Sequence, residues 1–236
     1  MKDRIFIIDG SSYLYRAYHA MPPLTASSGQ PTGAIKGVTN MLMTLKKESE
    51  GSPIIVTFDA KGKTFRSDIY EEYKANRPPM PDDLREQLAP LKEICKAIGF
   101  PLIEIEGVEA DDVIATLVKI AKENNFKSVI SSLDKDLMQL VEDPVSSIMN
   151  TMTHQIFNEE KVFEKFGVKP SQIRDMLALV GDTSDNIPGV PKVGQKTAAK
   201  WLNEFGDLDG IRKNADSIKG VVGQNLRDSL NELDRN

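Results

Sequence analysis

Short apolar runs recur along the first 150 residues, separated by stretches whose apolar positions fall at helical spacing. Ile5-Phe6-Ile7-Ile8, Ile54-Ile55-Val56-Thr57-Phe58 and Ser128-Val129-Ile130-Ser131-Ser132-Leu133 lack polar alternation. Continuous runs of that length predict strands buried on both faces, as in a parallel sheet. Leu102-Ile103-Glu104-Ile105 reads as a further strand, and Val145 to Phe157 as a strand pair around Thr151-Met152-Thr153. Between them the spacing predicts four helices. The first is capped by Ser11-Ser12 and runs through Tyr18; the second covers Ala34 to Lys47, with Ile35, Val38, Leu42 and Leu45 on one face. The third starts at Asp82-Asp83 and carries Leu84, Leu88, Leu91, Ile94 and Ile98; the fourth starts near Glu109 and ends near Asn124-Asn125. Strands alternating with helices predict an α/β fold with a mainly parallel central sheet and flanking helices. The remainder reads as mostly helical, with helices at about Ile173–Val180 and Gln195–Phe205. The organisation expected is a core over 1–157 and a helical part over 158–236.

One stretch breaks the alternation. From Lys61 to about Pro90 the chain is rich in Lys, Arg, Tyr and Pro and has no apolar strand. It reads as an insertion of one or two exposed helices around Pro78-Pro79-Met80-Pro81. Its Lys61, Lys63, Arg66, Lys74 and Arg77 are interleaved with Phe65, Tyr70 and Tyr73. Charge that tracks phosphates beside rings that stack on bases suits single-stranded nucleic acid.

Composition narrows the class. With 236 residues and 40% hydrophobic content, the chain can bury a sizeable core. No apolar run approaches the roughly 20 residues that span a bilayer, so no membrane association is expected. The start, Met1-Lys2-Asp3-Arg4, leads directly into a strand too short for a signal peptide. The single Cys95 excludes an internal disulfide and suits a reducing cytoplasm, where it reads as a small buried apolar residue. A cytoplasmic globular protein is expected.

The formal charge is −5. Nine acids stand out by position: Asp9, Asp59, Glu109, Asp111, Asp112, Asp134, Asp136, Asp182 and Asp185. Setting these nine aside turns −5 into +4, so a basic surface can surround an acidic centre. Asp9, Asp59 and Asp134 each follow an apolar strand, and the carboxyl edge of a parallel sheet is where such folds place ligands. Glu109, Asp111 and Asp112 open a helix, where the dipole favours one acid by only ~0.3–1 kcal/mol. Three acids there, with Asp134, Asp136, Asp182 and Asp185 nearby, call for multivalent cations. Individually, any of them also reads as a cap or a surface charge, and Gly181-Asp182-Thr183 as a plain turn. Mg²⁺ takes only one or two carboxylates per ion, so nine imply at least two ions, with Mn²⁺ as a substitute. Two ions ~3.5–4 Å apart clamp a phosphodiester during hydrolysis. His19 and His154 build no Ser-His-Asp arrangement, and no Cys/His cluster points to zinc.

Ile187-Pro188-Gly189-Val190-Pro191-Lys192-Val193-Gly194, between two helices at about 173–205, has the pattern of a helix–hairpin–helix. Its glycines let backbone approach a phosphate, and the N–H groups opening the next helix bind anions. Gly189, Val190, Lys192, Gly194, Lys196 and Lys200 are the candidate DNA contacts. Such a device holds backbone without reading sequence.

The ordered motifs Asp9-Gly10-Ser11-Ser12-Tyr13-Leu14-Tyr15-Arg16-Ala17-Tyr18, Glu109-Ala110-Asp111-Asp112, Asp134-Lys135-Asp136 and Gly181-Asp182-Thr183-Ser184-Asp185-Asn186-Ile187-Pro188-Gly189-Val190 resemble the bacterial 5′ nucleases, relatives of the flap endonucleases. Pro22-Pro23-Leu24-Thr25 and Pro31-Thr32-Gly33-Ala34 are most like the N-terminal 5′–3′ exonuclease domain of bacterial DNA polymerase I. The resemblance covers essentially the whole chain. It implies one metal site drawn from Asp9, Asp59, Glu109, Asp111 and Asp112 and a second from Asp134, Asp136, Asp182 and Asp185. It further implies an arch carrying Lys74 and Arg77 over the 5′ strand, Arg66 at the scissile phosphate, and a hairpin that holds duplex with a bound K⁺. The partners implied are branched DNA with a 5′ flap, RNA primer–DNA junctions and a covalently linked polymerase domain, in a bacterial cytoplasm. Leu133 before Asp134, and Lys192 and Gln195 in the hairpin, depart from the family's usual Gly, Gly and Pro. The end at Asp234-Arg235-Asn236 falls short of the family domain's final segment, so a fragment or a shortened standalone nuclease is expected. Two rivals remain open at this stage: a catalytically silent DNA-junction-binding module, and a helix–hairpin–helix glycosylase or lyase using Lys196 as nucleophile.

Overall fold

The computed structural model describes residues 3–233. The Met1-Lys2 start and the Asp234–Asn236 end, both read above, lie outside the described residues. The chain divides into two compact units, Met1–Thr64 with Pro79–Leu137 and Glu142–Phe157, and Phe65–Pro78 with Met138–Val141 and Asn158–Asn236.

The first unit is built on a six-stranded sheet. Its strands are β1 (Arg4–Asp9), β2 (Ile54–Thr57), β3 (Leu102–Ile103), β4 (Lys127–Ser131), β5 (Ser146–Met149) and β6 (Ile156–Phe157). The order is β3-β2-β1-β4-β5-β6, parallel except for β6, which runs antiparallel to β5. Isoleucine- and valine-rich runs without polar alternation became strands because both sheet faces are covered: Ile7, Ile8, Ile130 and Ile148 are wholly buried. Connections leave β1 toward β2 on one side, and β4 lies on the other. A crevice therefore opens at the carboxyl ends of β1 and β4, the topological switch point. Asp9 pairs with Thr57 and Ile8 with Ser131, so Asp9 stands at that crevice.

Four helices of this unit surround the sheet: α1 (Gly10–Ala20), α2 (Gly33–Glu48), α4 (Asp82–Ile98) and α5 (Ala110–Glu123), with the short α3 (Phe65–Ile69) belonging to the second unit. Leu14, Val38, Leu42, Leu45, Leu84, Leu91 and Cys95 form the core with Phe6, Ile8 and Phe58. One expectation is corrected. Ser11 and Ser12 do not cap α1; Asp9 does, and its Oδ1 accepts from the Ser12 N–H at 2.9 Å. Asp9 leaves β1 in extended conformation, and that geometry suits an N-cap. Of the Leu102–Ile105 run only two residues pair with β2.

The second unit contains α3, α6 (Glu159–Phe166), α7 (Ile173–Val180), α8 (Gln195–Phe205), α9 (Leu208–Lys213) and α10 (Gly220–Ser229). Its core is Val162, Ile173, Leu179, Ala198, Leu202, Ile211 and Leu226, all fully buried. Of the basic stretch read as 61–90, the part over 65–78 shows one five-residue helix, α3, with no buried residue, followed by turns, while 82–90 is already the first half of α4 in the first unit. Among the described residues no helix is long and apolar enough to cross a membrane.

Candidate metal centre

In the first unit the acids are tied to one another through backbone and hydroxyl groups. Asp9 is 5% exposed; its Oδ1 accepts from Ser12 and its Oδ2 from the Ser132 hydroxyl at 2.8 Å. The Ser132 Oγ in turn accepts from the Asp134 N–H at 3.0 Å, and Asp134 Oδ1 accepts from the Asp136 N–H at 2.8 Å. Asp59 sits just past β2. Its N–H donates to Ser11 Oγ (3.1 Å), and its Oδ1 accepts from the N–H of Ala110 at the start of α5 (2.8 Å). Asp112 Oδ2 accepts from the Glu109 N–H at 3.0 Å, a capping-box arrangement that also fixes the buried Glu109 as N-cap. Glu109 and Asp112 therefore do the structural work of a helix start as well as supplying charge.

Electrostatics show that these groups share one field. Burial pushes the Asp9 carboxyl up to about 6, against the Ser12 and Ser132 hydrogen bonds and with help from the charges of Asp59 and Asp134. Burial likewise pushes Asp111 up to about 8, and Asp134, Asp9, Asp59 and Glu109 add to it. A carboxyl held protonated near neutrality by burial and by neighbouring carboxylates gains from positive charge beside it. Among the described residues no three His, Cys, Asp or Glu side chains close into a ready ligand cage. The donors are instead carboxylate oxygens spread around one crevice, which fits a hard divalent ion held partly through water and not a thiolate–imidazole zinc site.

Asp182 and Asp185 lie in the second unit, both nearly buried, in the turn after α7. That turn is closed by a two-residue bridge between Asp182 and Ile187, and by Val190 N–H donating to Leu179 O. Two glycines make it possible. A Cβ on Gly181 would lie 2.6 Å from Ile187 O, and one on Gly189 would lie 2.3 Å from Gly181 N; both residues have positive φ. Asp182 Oδ1 accepts from both the N–H (2.8 Å) and the hydroxyl (2.5 Å) of Ser184. Lys74 and Arg77 belong to the same unit and reach Asp185: Arg77 Nη2 is 2.5 Å from Oδ1 and Lys74 Nζ 3.9 Å from Oδ2. Arg66 lies on α3 with its guanidinium 4.7 Å from the centre of the Phe65 ring.

The hairpin sorts its residues into two groups. Val190, read from sequence as a DNA contact, is only 2% exposed and its N–H is taken by Leu179, so it anchors the hairpin from within. Gly189 is likewise packed against Gly181. Gly194 has nothing within 4 Å of where a Cβ would stand, and it opens α8 without a side-chain cap. Lys192, Lys196 and Lys200 are exposed. Lys192 has φ +66, which explains why a glycine suits this position. Sequence reading missed Ser132, Asn76 and Asn186, whose hydrogen bonds hold the acids or their turn, and it read Tyr73 as a stacking ring, where the hydroxyl donates to Asp185. Asn186 did carry a signal, because Asn is among the few side chains tolerated at its φ of +61.

Residues 4–167 match the family model of the 5′–3′ exonuclease N-terminal resolvase-like domain, and residues 168–236 that of the 5′–3′ exonuclease C-terminal SAM fold. DNA polymerase I of Pseudomonas aeruginosa is 55% identical over 86% of this chain and 22% of its own length. The 5′–3′ exonuclease of Aquifex aeolicus is 48% identical over 89% of this chain and 72% of its own length. The chain thus spans about a fifth of the polymerase relative. Among solved structures, the T5 5′-exonuclease with zinc bound superposes with a TM-score of 0.83 at 28% identity, covering 98% of this chain and 87% of that one. A T5 flap endonuclease complex with DNA and metal ions gives 0.81 at 28% identity, over 98% and 86%. With family models matching across its length, the chain belongs to the 5′–3′ exonuclease family.

Proposed function

We propose that this chain is a divalent-metal-dependent 5′ nuclease that hydrolyses phosphodiester bonds in DNA, as an exonuclease at 5′ ends and an endonuclease at 5′ flaps. The observation that carries the reading is the convergence of Asp9, Asp59, Asp111 and Asp134 at the sheet's switch point, where burial first and the neighbouring carboxylates second push Asp111 up to about 8. A binding module gains nothing from such a cluster, since phosphates and carboxylates repel. Bound Mg²⁺, or Mn²⁺ in its place, supplies Lewis acidity and a water nucleophile. Asp9, Asp59, Glu109, Asp111, Asp112, Asp134 and Asp136 are the proposed ligands of the first unit, and Asp182 and Asp185 those of the second. Ser132 and the Ala110 N–H orient the carboxylates of Asp9 and Asp59, as outer-shell donors do in metal sites, and Ser11 Oγ holds the Asp59 backbone N–H.

Arg66, Lys74 and Arg77 are proposed to meet the phosphates of the 5′ strand and stabilise charge that develops there. Gly194 and the open start of α8, with Lys192, Lys196 and Lys200, are proposed to hold duplex backbone, with K⁺ at the hairpin. The reading extends to RNA primers at lagging-strand junctions, to a linked polymerase domain as in the polymerase relatives, and to a bacterial cytoplasm. Parts 1–157, with an insertion at about 61–90, and 158–236 are the proposed functional divisions. The test is cleavage of a 5′-labelled double-flap DNA with Mg²⁺ and with EDTA. A cut near the junction, lost in EDTA, is expected; binding without any cut, or a cut that persists in EDTA, would refute the reading.

A further inference from the structure

Asp185 is enclosed by one segment of its own unit. Besides Arg77 and Lys74, the Tyr73 hydroxyl donates to Asp185 Oδ2 at 2.9 Å. The backbones are laced as well: Lys74 N–H to Asp185 O (3.0 Å), Arg77 Nε to Ser184 O (2.9 Å), Asn76 Nδ2 to Thr183 O (2.7 Å), and Asn186 Nδ2 back to Glu72 O (2.8 Å). Lys74 holds a φ of +56 at the centre of this clasp, a conformation L side chains rarely adopt. The basic residues proposed to meet phosphate and a carboxylate proposed to hold metal are therefore, without either ligand, each other's partners.

We propose that Asp185 exchanges cations. In the cation-free chain it holds Arg77 and Lys74 and latches residues 70–77 to the 183–186 turn. A hard divalent cation bound by Asp185 displaces Arg77 and releases both basic side chains toward phosphate. This rests on Asp185 being a cation ligand, as read above. The balance favours exchange on simple grounds. The Arg77 side chain is 49% exposed, so its ion pair is screened by water, whereas Asp185 is only 12% exposed and gains most from a doubly charged ion in direct contact. The device would keep the basic segment docked until metal is loaded.

The test uses the full chain without DNA. Mn²⁺ binding is followed by electron paramagnetic resonance, and hydrogen exchange of residues 70–77 is followed with and without Mg²⁺. Arg77→Gln removes the competitor and is expected to tighten the weaker Mn²⁺ site about three- to fivefold, the size expected of a half-exposed ion pair. Mg²⁺ is expected to speed exchange over 70–77 in the wild type, and Asp185→Asn to show fast exchange there without Mg²⁺. Unchanged Mn²⁺ affinity in Arg77→Gln, or exchange that ignores saturating Mg²⁺, overturns the proposal. If Asp185→Asn lowers the Mn²⁺ stoichiometry while Arg77→Gln is silent, only the exchange falls. If Asp185→Asn leaves the stoichiometry intact, the role of Asp185 as a ligand falls with it.

Discussion

Replacing Asp111 by Asn should stabilise the metal-free protein while abolishing its chemistry. Burial and four neighbouring carboxylates raise Asp111 from 3.8 to about 8. Between those values the folded chain holds a proton that the unfolded chain has lost, so this group makes folding less favourable as pH rises from about 4 to about 8. At 1.36 kcal/mol per unit, the full shift corresponds to about 5–6 kcal/mol at pH 8. Water at the partly exposed carboxyl and relaxation around it bring the expected gain down to about 2–3 kcal/mol. Asn keeps the shape and has no charge to repel. Urea unfolding in EDTA at pH 5 and pH 8 measures it, with the variant's advantage larger at pH 8. Added Mg²⁺ should reverse the order by stabilising the wild type and not the variant. A variant no more stable than the wild type at pH 8 in EDTA, or an advantage that does not grow with pH, would refute the reasoning.

Three further outcomes are expected. Gly181→Ala and Gly189→Ala each force a Cβ into backbone at 2.6 Å or less with positive φ, and should each lose about 2–4 kcal/mol in urea unfolding, whereas Gly194→Ala, facing open space, should unfold like the wild type. Lys192→Gly removes a left-handed strain and should add about 1 kcal/mol of stability by the same measurement; a loss would mean that the side chain contributes more than its backbone costs. Ser132→Ala removes the donor to Asp9 Oδ2 and the acceptor for Asp134 N–H, so cleavage should fall about 10–100-fold and its pH profile shift upward, because Asp9, already at about 6, loses an interaction that lowers it.

Much of the fold was legible because burial leaves a period in the sequence. Ile5–Ile8 and Ile54–Thr57 could only be strands covered on both faces, and the apolar spacing of 173–180 and 195–205 marked helices whose ends the structure reproduces. Asp9, Asp59 and Asp134 were legible for a related reason: each follows an apolar run, and strand ends in a parallel sheet share an edge. What periodicity does not carry is hydrogen bonding between distant residues. Ser132 and Asp9 are 123 positions apart, and nothing local distinguishes that serine from its neighbours. Asp9 read as a strand-end acid and not as the cap of α1, because capping depends on the φ and ψ at which the strand ends. Val190 read as a backbone contact to DNA because it stands between glycines; its burial follows from how tightly Gly181 and Gly189 approach. The basic segment buries none of its α3 residues, and it is tied by polar contacts to residues 183–186, which no pattern announces.

The most direct test of the acid cluster as a metal-dependent cutting centre is a parallel measurement on Asp134→Asn. Single-turnover cleavage of a double-flap DNA in Mg²⁺ and equilibrium binding of the same DNA are compared with the wild type. Asp134 lies in the shared field and is bonded through Ser132 to Asp9, so cleavage should be lost while binding stays largely intact. Cleavage and binding that fall together, or cleavage that survives the substitution, would contradict the placement of the chemistry at these carboxylates.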